Sequence, residues 1–183
     1  AGIHIVIGTS GFGPDRIEEL RRLFPEDGAA HCIVVPNFAV GAVLAMYFAG
    51  LAAPWFETAE IVEMHHDGKV DAPSGTSVAT AARMFAARRA AGRGDWAPDP
   101  TRDEALDGAR GALPEGGPRI HSLRVRGAVA HQEVVLGTTG QTLTIRHDSY
   151  DRESYMPGVL LAVKAVSERP GVTVGLDALM GLE

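Results

Sequence analysis

Residues 3–15 read Ile3-His4-Ile5-Val6-Ile7-Gly8-Thr9-Ser10-Gly11-Phe12-Gly13-Pro14-Asp15, and their pattern decides the fold class. Residues 3–7 are a short β-branched run stopped by Gly8, the pattern of a strand buried on both faces of a parallel sheet. The glycine turn at 8–13 leads into Pro14-Asp15, which suit a first helical turn. Ile17, Leu20, Leu23 and Phe24 then recur at helical spacing until Pro25 closes the helix. A second apolar strand, 32–35, runs into Pro36-Asn37-Phe38. Residues 1–38 therefore read β-α-β, the repeat of an α/β layer fold.

Outward from that unit the character changes. Residues 39–53 are apolar nearly all round, which predicts a helix packed on several sides. Residues 60–64 alternate as a strand does, and a turn-rich loop then runs to Ser74-Gly75-Thr76. Residues 76–91, Ala-rich with arginines on one side, predict a helix. The stretch 92–118 is dense in Gly and Pro and reads as a long loop, either mobile or functional. Strands are expected at 119–126, 129–136 and 141–147, with turns at Gly127 and Gly137-Thr138-Thr139-Gly140, which suggests an antiparallel meander. A closing helix at 154–168 stops at Pro170-Gly171. An α/β beginning thus gives way to an α+β middle, without an internal repeat.

Composition narrows the function classes. The chain has 183 residues with 17 Lys+Arg against 23 Asp+Glu, a net charge of −6, which argues against a nucleic-acid partner. With 45% hydrophobic and 22% charged residues it has a globular rather than a disordered composition. The longest apolar run, 38–56, is broken by Gly41, Gly50 and Pro54, so it reads as a buried helix and no membrane partner is expected. A single cysteine, Cys32, excludes an internal disulfide and fits a reducing cytoplasm. No charged-then-apolar leader opens the chain. It begins instead in a strand-like run just after Ala1, which suggests that the true start is missing.

The densest polar stretch is 65–76, His65-His66-Asp67-Gly68-Lys69-Val70-Asp71-Ala72-Pro73-Ser74-Gly75-Thr76. Adjacent histidines on a strand point to opposite faces, and neither a cysteine pair nor a third histidine sits at ligand spacing, so no metal is expected. Proton transfer fits better: a histidine titrates near neutrality, and Lys69 in the same loop supplies charge or a proton. The plain alternative is a solvated polar loop. Ser74-Gly75-Thr76 opens a helix, and a glycine with a threonine cap there leaves N–H groups for a carboxylate or phosphate; the alternative is ordinary capping. Taken together, the stretch describes a site for an anionic substrate that needs a proton.

Gly8-Thr9-Ser10-Gly11 follows a strand, where α/β folds place a ligand crevice, although its spacing is not that of a dinucleotide fingerprint. Pro36-Asn37-Phe38 ends the next strand and either brings an amide and a ring to the same crevice or is a hinge between layers. His131 and His147 read as structural strand residues. Asp148, Asp151 and Arg152 read as a solvated turn and cap, and Trp96 as packing or a cover over a ligand.

These segments resemble one family. EMHHDGKVDAPSGTS (63–77) resembles the signature E-x-H-H-x-x-K-x-D-A-P-S-G-T of dihydrodipicolinate reductase, also called 4-hydroxy-tetrahydrodipicolinate reductase, at every fixed position. GTSGF (8–12) resembles its GTTGF, PNFAVGAVL (36–44) its x-N-F-S-x-G stretch, and RHDSYDRESYMPGVLLAV (146–163) its closing segment. AHQEVVLGTTGQTLTIRHDS (130–149) is similar to the actinobacterial branch. The likeness spans nearly all of the chain except 92–118.

The resemblance implies an oxidoreductase that transfers a hydride from NADH or NADPH to 4-hydroxy-tetrahydrodipicolinate, giving tetrahydrodipicolinate on the path to diaminopimelate and lysine. It implies His65 and Lys69 as the proton-donating pair, and His66, Lys69, Gly75 and Thr76 as holders of the cyclic dicarboxylate. Gly8, Thr9, Ser10, Val35, Pro36, Asn37 and Phe38 would line the nicotinamide. The implied fold is the remnant of a Rossmann-type dinucleotide-binding domain (1–38 and 152–183) joined to an α+β substrate-binding and oligomerisation domain with a mixed sheet (39–151). A cytoplasmic homotetramer paired through 119–149 is implied as well. The family's first strand and glycine-rich fingerprint have no counterpart here, so an N-terminally truncated reductase is expected. The alternative is a fragment that binds the dicarboxylate and self-assembles without turnover.

Overall fold

A computed structural model describes residues 2–9 and 11–182. In chain order the elements are β1 (Ile5–Ile7), α1 (Pro14–Leu23), β2 (Cys32–Val34), α2 (Val40–Ala52), β3 (Thr58–His65), α3 (Gly75–Ala90), β4 (Arg119–Arg124), β5 (Ala130–Thr138), β6 (Gln141–Ser149), α4 (Met156–Ala165), β7 (Val172–Val174) and α5 (Asp177–Met180). They divide into two compact units, Ala1–Val43 with Arg152–Glu183, and Leu44–Asp151.

The first unit carries a parallel sheet of order β1-β2-β7, with Ile5 opposite Cys32 and Cys32 opposite Val172. The central strand decides its packing. Ile33 is buried with Val35, Ala162, Val166 and Leu176 on one face, while Cys32 and Val34 are buried with Ile17 on the other. Each such aliphatic side chain contributes about 1.5–3 kcal/mol on burial, so β2 is the spine of the unit. The expectation that residues 3–7 are buried on both faces is corrected. Among the described residues β1, three residues long, pairs with β2 alone, and Ile3 and Ile5 are exposed. β7 and α5 had no counterpart in the sequence reading. β7 is only Val172-Thr173-Val174, framed by Gly171 and Gly175 at φ +73° and +92°, where a side chain would be strained.

The expected closing helix at 154–168 is α4 with a 3₁₀ turn at each end, Arg152–Tyr155 and Val166–Glu168. Gly158 lies inside α4, where glycine costs about 1 kcal/mol relative to alanine. It is tolerated because a Cβ there would strike the carbonyl of Phe38.

The second unit carries a mixed sheet of order β4-β3-β5-β6. The expected meander is therefore corrected: β4 pairs parallel with β3, not with β5, and only β5 and β6 form a hairpin. The reason lies in β3, whose Ile61 and Glu63 are fully buried and which needs a partner on both edges. Pairing Ile61 with both Ile120 and Val134 puts all three in one layer against Ala81 and Met84 of α3.

Loop 92–118 is tied down at both ends. Arg88, nearly buried, donates to the carbonyls of Ala53, Phe56, Gly94 and Asp95, and its guanidinium lies 4.1 Å over the ring of Trp96. Trp96 packs on the core cluster. Asp99 pairs with Arg110 at 3.1 Å and Arg119 at 2.8 Å, and Arg110 also pairs with Glu60. Among the described residues no helix is long and apolar enough to cross a membrane.

Candidate active site

Period-two alternation puts Ile61, Glu63 and His65 of β3 on the face that meets α3, so the apolar layer of Ile61 gives way to polar groups toward the carboxyl end of the strand. Glu63 is fully buried, and polar groups from β3, β4 and the start of α3 hold its carboxyl. Arg124 of β4 donates Nη1 to Oε2 and Nη2 to Oε1, both at 3.0 Å. The backbone N–H of Ser74 reaches Oε1 at 3.2 Å, and His65 Nδ1 lies 2.6 Å from Oε2. Burial pushes the Glu63 pKa up, but the hydrogen bonds from Arg124, Ser122 and His65 outweigh it and hold the carboxyl below its ordinary range. Burial drives the His65 pKa down, Glu63 opposes this, and the charges of Lys69 and Arg124 add to the fall; the net shift is downward.

Arg124 also holds the loop that follows. Its Nε donates to the Lys69 carbonyl at 3.3 Å and its Nη2 to the Asp71 carbonyl at 2.6 Å. His66 is exposed, with its carbonyl accepting from Lys69 N–H at 3.1 Å. Lys69 Nζ grips the Asp71 carboxylate at 2.7 and 2.8 Å. The Ala72-Pro73 peptide is cis.

The threonine cap is corrected: the N-cap of α3 is Ser74, whose Oγ accepts from Ser77 N–H at 3.3 Å. Serine takes the role because its backbone is extended while Gly75 and Thr76 are already helical. Gly75 and Thr76 thus supply first-turn N–H groups, which no preceding helical carbonyl serves. Beneath them runs a buried chain of fixed direction. Ser77 Oγ donates to Gln132 Oε1 at 2.9 Å, Gln132 Nε2 to Thr80 Oγ1 at 2.9 Å, and Thr80 Oγ1 to the Thr76 carbonyl at 2.8 Å.

The first unit gathers the other group at the carboxyl ends of β1 and β2. Gly8 and Thr9 are exposed, and a Cβ on Gly8 would overlap the Phe38 ring. Thr9 Oγ1 accepts from Gly11 N–H at 3.3 Å, and Asn37 Oδ1 from Ala39 N–H at 2.9 Å. Pro36 is exposed. Val35 is fully buried, and its N–H donates to the Ile7 carbonyl at 2.8 Å. Ser10 lies outside the described residues.

His131 forms a cross-strand pair with Asp148 at 2.7 Å, and Arg146 binds the same carboxylate. The solvated-turn expectation for Asp148 is thereby corrected, because the residue sits inside β6. Sequence reasoning assigned no role to Glu63, Arg124, Gln132, Ser77 or Thr80. The available signal was a carboxylate at an inward strand position, two residues after Ile61. No group of three or more His, Cys, Asp or Glu that could hold a metal occurs among the described residues.

Comparison with known proteins places these features in a family. Residues 41–180 match the family described as dihydrodipicolinate reductase, C-terminus. The chain is 54% identical over 181 residues to the 4-hydroxy-tetrahydrodipicolinate reductase of Cutibacterium acnes, covering 99% of this chain and 72% of that protein. Against the enzyme of the same name from Thermobifida fusca it is 55% identical over 182 residues, covering 99% and 73%. Among solved structures, the dipicolinate-bound dihydrodipicolinate reductase from Paenisporosarcina sp. TG-14 superposes with a TM-score of 0.79 at 44% identity, over 96% of this chain and 64% of that one.

Proposed function

This chain belongs to the dihydrodipicolinate reductase family, and on that premise we propose that it serves the reduction of 4-hydroxy-tetrahydrodipicolinate to tetrahydrodipicolinate, on the route to diaminopimelate and lysine. The observation that carries this reading is that one buried carboxylate, Glu63, holds both His65 and Ser74, the residue that caps α3. A titratable ring is thereby fixed to the same point as an anion-binding helix start.

In this reading the first-turn N–H groups of Gly75 and Thr76, with His66 and Lys69, bind the two substrate carboxylates. Lys69 exchanges the Asp71 carboxylate for one from the substrate, a swap of like partners that costs little. His65 and Lys69 supply the proton and the compensating charge. A dianion arriving beside His65 raises the affinity of its ring for a proton, so a histidine that is mostly neutral in the free protein becomes a donor once substrate is bound.

The residues around Gly8 suit a nicotinamide ring because they lie at the carboxyl ends of parallel strands, where such sheets bind ligands. Gly8, Thr9, Ser10, Val35, Pro36, Asn37 and Phe38 would line that ring. When bound, NADH or NADPH supplies the hydride. The first unit is then part of a Rossmann-type domain, and the whole a cytoplasmic homotetramer joined through the sheet β4-β3-β5-β6. Light scattering of the purified chain checks the tetramer.

The test of function is a calorimetric titration with pyridine-2,6-dicarboxylate. Saturable binding that Lys69→Ala weakens is the expected result. Absence of binding by a chain that still melts cooperatively, with and without NADPH, would return residues 65–76 to a loop and a cap.

A further inference from the structure

We propose that Glu63 is a positioning residue for this reaction: held by Arg124, it takes the Nδ1 proton of His65, leaves Nε2 as the atom that exchanges a proton with the substrate, and through Ser74 fixes the start of α3 relative to that atom. The proposal rests on the reading of His65 as the proton donor.

The charge state of Glu63 follows from its partners. Arg124 Nη1 and Nη2 and the Ser74 N–H can only donate, so each of these three contacts demands an acceptor. The Arg124 guanidinium beside it holds the carboxyl below its ordinary range. Glu63 is therefore ionised and can only accept, so the contact from His65 Nδ1 at 2.6 Å is a donated N–H. With Nδ1–H committed, the neutral ring carries its lone pair on Nε2, and protonation places the mobile proton there. A carboxylate that fixes a catalytic imidazole in one tautomer acts by the same logic wherever that pairing is found.

Stability gives a weak reason for this arrangement, since buried ion pairs are often replaced by apolar residues without loss. A site that must aim one ring nitrogen gives a stronger one. The groups acting on His65 are Glu63 of its own strand, Arg124 of β4, and Lys69 of the following loop, itself paired with Asp71. The β5 residue opposite His65 is Ala130, which carries no charge.

Nitrogen-15 NMR of the histidine rings in this chain tests the proposal, with His65 assigned by the signal lost in His65→Gln. The expected wild-type spectrum shows the Nδ1–H tautomer, read without any variant; an Nε2–H tautomer overturns the proposal. In Glu63→Gln the amide turns a donor toward Nδ1, so the tautomer should invert and the titration should move to lower pH by about one pH unit, as loss of an adjacent opposite charge requires. A folded Glu63→Gln with unchanged tautomer and titration overturns it as well. Pyridine-2,6-dicarboxylate should move the wild-type His65 titration upward. Binding without that movement sinks this proposal alone, whereas no binding sinks the site reading on which it rests.

Discussion

The carbonyl oxygen of Phe38 occupies the space that a side chain on Gly158 would need. The ring of the same phenylalanine occupies the space above Gly8. Two glycines distant in sequence thus meet one residue, but on parts that differ in freedom. The ring turns about χ1 and χ2, while the carbonyl moves only with the backbone between β2 and α2. Gly158→Ala is therefore expected to cost about 2–3 kcal/mol, at the upper end for overpacking, and Gly8→Ala about 1 kcal/mol. Urea midpoints of the two variants check the order. Equal losses would mean that the Phe38 backbone yields as easily as its ring.

Gln132 ties β5 to the first turn of α3 by accepting from Ser77 and donating to Thr80. Gln132→Leu fills the volume but leaves two buried hydroxyls without that partner, which predicts a loss of about 1–3 kcal/mol. Because the chain of bonds ends on the Thr76 carbonyl, the variant should also bind pyridine-2,6-dicarboxylate less tightly. Denaturation together with calorimetry separates the two effects. Normal affinity in a destabilised variant would confine Gln132 to stability.

Local signals in the sequence were strong where one element answers to one pattern. The β-α-β opening, α2, α3 and the hairpin of β5 and β6 follow from periodicity and turn residues. Strand order does not, because pairing is set by which strand needs two neighbours, and an alternating run such as 119–124 reads the same beside β3 as beside β5. Residues 65–76 stand out in the sequence as a candidate site, since histidines, a lysine and a helix start lie within one stretch. Arg124 was not, being 55 residues from Lys69 and brought to it only by the parallel pairing of β3 with β4. Three-residue elements such as β7 hold too little sequence to show a period.

Stability should fall in two stages as the solution is acidified. Burial holds His65 and His147 below the ordinary histidine value of 6.5 in the folded state. Below that pH the unfolded chain takes up protons that the folded chain refuses, and stability drops. Glu60 and Glu63 are depressed from 4.5, their burial outweighed by Arg110 and His121 for the first and by Arg124, Ser122 and His65 for the second. Their contribution is complete above that value and is lost as pH falls through the folded pKa. Urea midpoints measured from pH 8 to pH 2 should show both stages. His147→Gln should flatten the first and leave the second; an unchanged first stage would mean that His147 is not held neutral by burial.

Lys69 and Asp71 make the last test, since the lysine in the free protein is already bound to a carboxylate. If Lys69 holds the dicarboxylate as proposed, the ligand displaces Asp71, so the two residues should act in opposite directions. Lys69→Ala removes a charge-assisted contact and should weaken pyridine-2,6-dicarboxylate binding by about 10- to 100-fold. Asp71→Asn removes the competitor while sparing the backbone carbonyl that Arg124 holds, so the loop keeps its anchor. The Asp71 carboxylate is solvent-exposed, and an exposed pair is weak, so the expected gain is only about 2- to 5-fold and should shrink as salt rises. Calorimetric titrations at two salt concentrations read both. A fall in affinity for Asp71→Asn would mean that Asp71 positions Lys69 for the ligand instead of competing with it.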